Sequence, residues 1–144
     1  MKDLKAVKMD LGGIIRGAAK PAALMIILAV FGELISAYIG ILGIAAFVLK
    51  AIFILIAGAY ASRKTGQDEL SSGIMGALLG LVCAWAGSAA RWMLISVIPT
   101  GFAPSLADAA GLMVADAVLG CVFWVPVGFI LGAIGALLLT QEKR

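Results

Sequence analysis

Long apolar runs and short polar breaks alternate along this chain. A basic opening, "MKDLKAVKMDLGGIIRGAAK", gives way to apolar sequence that continues to about residue 62, interrupted only by "GILG" and two isolated charges. The polar segment "RKTGQDELSSG" follows, then a second apolar stretch to Ile98, the segment "PTGFAPSLADAAG", and a last run ending near Leu139. A bilayer hydrocarbon core of about 30 Å requires about 20 helical residues at 1.5 Å each. Measured from their polar borders, the runs predict four membrane-spanning helices at about 21–39, 42–62, 73–98 and 115–139. Gly40 and Gly43 permit a tight reversal between the first two. Ser71 or Ser72 is placed to cap the third, and Pro99 stops it. Pro126 predicts a kink or local loosening in the fourth. A short interfacial helix starting at Pro104 is expected just before that span.

The first twenty residues carry a different pattern. Leu4, Val7, Leu11, Ile14 and Ala18 recur at three- and four-residue steps, with most charges on the other face. This predicts an N-terminal amphipathic interfacial helix over residues 1–20, lying on the inner leaflet with its lysines reaching anionic lipid head groups. Gly12 and Gly13 weaken that helix. A signal peptide and a basic tail are the competing readings.

Composition turns these patterns into a class. The 144 residues are 63% hydrophobic and 13% charged, with a mean hydropathy of +1.13. Soluble domains carry roughly 45–50% apolar and 25% charged residues, and small ones bury the least surface. The expected fold class is therefore an all-α integral membrane protein: four transmembrane helices arranged as two antiparallel hairpins in a single domain, residues 1–144. Charge position supplies the orientation. Nine of the eleven Lys and Arg fall in three clusters: Lys2, Lys5, Lys8, Arg16 and Lys20; Arg63 and Lys64; Lys143 and Arg144. Basic helix ends stay on the cytoplasmic side. Four crossings of the cell membrane put all three clusters there, with both termini cytoplasmic, and the two expected outer segments contain no basic residue.

Four charges fall inside the spans. Glu33 lies 13 residues beyond Lys20 and Lys50 lies 13 residues before Arg63, which puts both roughly 20 Å from the inner surface. An unpaired charge there costs roughly 2.5–3.5 kcal/mol on the insertion scale, so an ion pair between Glu33 and Lys50 is expected. Arg91 and Asp116 form the corresponding pair in the second hairpin, nearer the outer surface. Ser36 and Ser88 are candidate polar lining. Small residues share these faces: Gly76, Gly80 and Gly87 lead to Arg91, while Gly120, Gly128 and Gly132 follow Asp116. Small-xxx-small spacing of this kind lets membrane helices approach closely.

Other chemistry is largely excluded. The chain has no histidine, which removes the usual haem and zinc ligand and the commonest general base. Cys83 and Cys121 read as free buried thiols, and no phosphate-binding loop or nucleophile elbow is present. No catalytic activity, cofactor, metal or nucleic-acid partner is expected. Trp85 is expected to pack between helices, with Tyr38 and Tyr60 near the two interfaces.

In shape, and in the single residue Glu33, the chain resembles the small multidrug-resistance transporters, short four-helix proteins with a glutamate in the first span. It departs from them at Lys50 and in its basic start. Two functional expectations follow. One is an oligomeric transporter or channel for an ion or small solute, using the charge network. The other is a structural or accessory subunit of a membrane assembly. Either implies a homo-oligomer or a membrane-protein complex.

Overall fold

A computed structural model of the chain describes residues 11–40, 42–65, 68–97 and 105–141. These residues are all-helical: α1 (Leu11–Tyr38), α2 (Leu42–Thr65), α3 (Glu69–Val97) and α4 (Leu106–Gln141). Each contains a stretch long and apolar enough to cross a membrane: Gly12–Ala37, Leu42–Ala61, Glu69–Val97 and Ala107–Leu138. Many large apolar side chains point away from the bundle; Ile44, Leu119 and Val122 are each 70% exposed. An apolar exterior of this kind suits lipid rather than water.

Three helix boundaries differ from the sequence expectation. α1 begins at Leu11 and runs through Pro21 without a break, so residues 11–20 extend the first span instead of forming a separate interfacial helix. Proline crowds the carbonyl four residues back and donates no hydrogen bond, but packing holds the segment in place. Ile14 and Ala18 are buried against Ala61 of α2 and Met75 of α3, so the apolar stripe expected to face lipid faces other helices. The first ten residues of the expected interfacial helix lie outside the described residues. α4 likewise starts at Leu106, nine residues before the expected span. Ser105 and Asp108 cap it reciprocally: the Asp108 amide donates to Ser105 Oγ at 3.2 Å, and that hydroxyl donates to Asp108 Oδ2 at 2.6 Å. The expected interfacial turn and the fourth span are thus one helix of 36 residues that continues through Pro126. α3 is capped by Asp68, whose Oδ1 accepts from the Ser71 amide at 2.9 Å; Ser71 and Ser72 lie inside the helix. Hydrogen bonds from the Ser71 side chain and backbone hold the Asp68 carboxyl below its ordinary range.

Close backbone contacts assemble the bundle. α3 and α4 share the most extensive interface; α1 packs on α3 and α2, α2 packs on α4, and among the described residues the backbones of α1 and α4 do not approach closely. Along α3 and α4 the contacts run in opposite directions, with Gly76 on Gly128 and Gly132, Gly80 on the Trp124 carbonyl, and Ala84 on Gly120. A β-carbon at Gly76, Gly80, Gly128 or Gly132 would collide with main-chain atoms of the facing helix, which is why these positions tolerate no side chain. Gly132 also receives Gly58 of α2, and Gly135 abuts the Leu55 carbonyl. The fourth helix therefore uses its glycines on two neighbours. Between α1, α2 and α3 lies an apolar layer of Met25, Ala29, Ile54, Leu79 and Cys83, with Trp124 of α4 against it. Trp124 stacks near Phe47 and Phe123, with ring centroids 5.0 and 5.6 Å away. Trp85, expected between helices, instead lies on the bundle surface at 42% exposure, because its side of α3 faces none of the other three helices.

Candidate functional site

The four charges sit beyond the apolar layer, toward the end of the bundle where α1 turns into α2. Glu33 is five residues from the end of α1, Lys50 eight from the start of α2, Arg91 six from the end of α3 and Asp116 ten into α4. At 1.5 Å per residue they occupy one band about 8–15 Å from the helix ends.

Within that band they form a connected chain. Lys50 Nζ lies 3.6 Å from Glu33 Oε1. The other carboxylate oxygen, Oε2, accepts from Arg91 Nε at 3.1 Å. Arg91 Nη1 reaches Asp116 Oδ1 and Oδ2 at 3.2 and 3.3 Å. Each helix contributes one charge, the signs alternate, and the formal charges cancel. Glu33 is brought to Lys50, and Arg91 to Asp116. Two features differ from the sequence reading: both pairs share one level, and Arg91 joins them by bonding Glu33. Counting from the inner basic anchors concealed this link. Counting from the outer helix ends reveals it, since Glu33 and Arg91 stand five and six residues from theirs.

Exposure is graded along the chain. The Lys50 and Glu33 side chains are 9% and 15% exposed, and those of Asp116 and Arg91 are 31% and 49%. Small residues make the inner room. A β-carbon on Gly32 would stand 3.0 Å from Lys50 Cε, and one on Gly87 would stand 3.5 Å from Glu33 Oε1. Of the predicted helix-packing glycines, Gly87 lies beside the Glu33 carboxylate at ordinary contact distance, whereas Gly32, absent from the sequence expectation, leaves the lysine room that a β-carbon would crowd; its position next to Glu33 was the available signal.

The two serines separate. Ser88 is buried, lines the cleft, and donates to the Met113 carbonyl of α4 at 2.8 Å. Ser36 does not line it: its hydroxyl donates to the Gly32 carbonyl of its own helix at 2.7 Å. In apolar surroundings a serine hydroxyl commonly satisfies itself on the carbonyl one turn back. The cleft between the four helices has a volume of about 60 Å³ and includes Cys83 and Trp124 in its wall. Cys83 and Cys121 are free thiols. Among the described residues, no group of three or more metal-ligating side chains is gathered.

Charges held this way are interdependent. Removing one partner of a buried pair leaves the other desolvated and uncompensated, which is far worse than removing both. Within a membrane the penalty deepens, because hydrocarbon supplies no alternative partner. Chemically, the cluster can fix the relative positions of four helices, bind water or exchange protons; the cleft has no room for an organic solute.

Comparison of the chain with known protein families, with curated proteins and with solved structures finds no match.

Proposed function

We propose that this is an integral protein of the cell membrane whose charge cluster locks four spanning helices into one arrangement, and that it serves as a structural or accessory subunit of a membrane assembly. The observation that carries this reading is the closed chain Lys50–Glu33–Arg91–Asp116, in which every charge has an oppositely charged neighbour. A site built to carry cargo keeps a charge uncommitted, whereas a site built to specify packing consumes its charges. In this reading the helices cross as two antiparallel hairpins with both termini cytoplasmic. The basic residues of segment 1–20 meet anionic head groups at the inner leaflet, and the apolar exterior meets lipid, further copies of the chain or another membrane protein.

Transport of an ion by an oligomer is the second reading, favoured by the partial exposure of Arg91 and Asp116 at the mouth of the cleft. Reconstitution separates the two. The packing role predicts that detergent-extracted wild-type protein migrates as a defined assembly and that Glu33→Gln disperses it. It also predicts that wild-type proteoliposomes pass protons and alkali cations no faster than empty vesicles. A flux that Glu33→Gln abolishes while the assembly stays intact would establish transport instead.

A further inference from the structure

Lys50 is more than nine-tenths buried, yet its ammonium donates no hydrogen bond to any described residue; its ion-pair partner, Glu33 Oε1, stands 3.6 Å away. An ammonium has three donors to satisfy, and Lys50 Nζ is not one of the fully enclosed side-chain atoms left without a partner, which among the described residues are Ser72 Oγ and Trp92 Nε1, so it remains within reach of water. A polar contact longer than about 3.5 Å raises the question of an intervening water. The space for one is present: the cleft beside Lys50 measures about 60 Å³, and about 10–15 Å³ suffices for a single water. Its polar wall includes Glu33, Ser88, Arg91 and Asp116, enough acceptors and donors to give a water its usual two to four partners.

We propose that this cleft is a water site, in which a few ordered waters bridge Lys50 Nζ to the Glu33 carboxylate and onward to Asp116. Water reaches it past Arg91 and Asp116, the more exposed members of the cluster. It goes no further, because Met25, Ala29, Ile54 and Leu79 form a layer with 0% exposure immediately beyond Lys50 and Glu33. The site is a hydrated pocket closed at its inner end. It relies on the membrane-spanning reading only for the side from which water enters, and it limits any cargo under the transport reading to the size of water.

Two sulfur side chains report on the two environments without any substitution. Cys83, though part of the apolar layer, also lines the cleft, while Met25 belongs to the layer alone, and bulk solvent touches neither appreciably, at 2% and 0% exposure. Wild-type proteoliposomes, washed in alkaline carbonate and then given short X-ray pulses that make hydroxyl radicals from water, are read by mass spectrometry. Each rate is normalised to the same residue in the unfolded chain. Bound water in the cleft oxidises Cys83 several-fold faster than Met25, with Met75 of the lower core as slow as Met25. Equal normalised rates at Cys83 and Met25, in protein that stays with the vesicles, overturn the water site alone. Loss of the chain in the carbonate wash contradicts the membrane-spanning reading instead.

Discussion

Glu33 and Lys50 are not equivalent, although the sequence presents them as a pair. Glu33 bonds two cations, while Lys50, among the described residues, has only Glu33 within ion-pairing distance. Lys50→Met therefore leaves Glu33 held by Arg91 and is expected to cost about 1 kcal/mol, the scale of a membrane polar contact. Glu33→Gln leaves a buried ammonium with no counter-charge and is expected to cost about 2.5–3.5 kcal/mol, the penalty of an unpaired lysine in a span. Unfolding of purified protein by added SDS measures both; equal losses would show that Arg91 does not support Glu33. The sequence indicated all four charged residues, because a charge in an apolar run is conspicuous. Their connectivity was less legible. It depends on α1 packing against α3, and nothing in the apolar pattern of either helix says which neighbour it meets. The Ser36 bond is illegible for a related reason: spacing shows which face a hydroxyl occupies, but not that it will donate to the Gly32 carbonyl of its own helix.

At the level of elements, glycine sets which helices come closest. Gly76 faces two glycines of α4 with no room for a β-carbon. Gly76→Val should separate α3 from α4 and destabilise the bundle by about 1–3 kcal/mol, the usual range for overpacking. Gly111, with nothing within 4 Å of an added β-carbon, is the matched control, and Gly111→Ala should leave the SDS midpoint unchanged or slightly raised. The Asp68 cap makes a pH-dependent contribution. Its folded-state carboxyl titrates below the ordinary 3.8, so its stabilisation is fully present above that value and disappears as pH falls through the lower folded value. Asp68→Asn keeps an acceptor at the cap and should remove this acid sensitivity. Stability profiles of the two proteins between pH 2 and 5 that coincide would rule the cap out as its source. The helices themselves were legible from apolar length, yet α1 is already helical at the first described residue, Leu11, and α4 begins nine residues early. Amphipathic spacing alone cannot distinguish a stripe that meets lipid from one that meets a helix, and Ile14 and Ala18 meet helices.

The whole molecule combines an apolar exterior, a glycine-tight half and a polar band nearer the α1–α2 turn. The outward-facing Ile44, Leu119 and Val122 fit a bilayer, as the composition indicated. The apolar layer beneath the charges blocks any continuous polar path through one bundle. What covers the apolar exterior was not legible in sequence, since lipid and a partner helix both accept the same side chains. The central claim is that the four charges hold the bundle together by satisfying one another. The most direct measurement is the SDS-unfolding free energy of wild type, Glu33→Gln, Lys50→Met and the double variant in one detergent. Mutual satisfaction predicts that the double variant recovers about 2 kcal/mol of what Glu33→Gln loses, because the stranded ammonium is gone. A double variant whose loss equals the sum of the two single losses would contradict it.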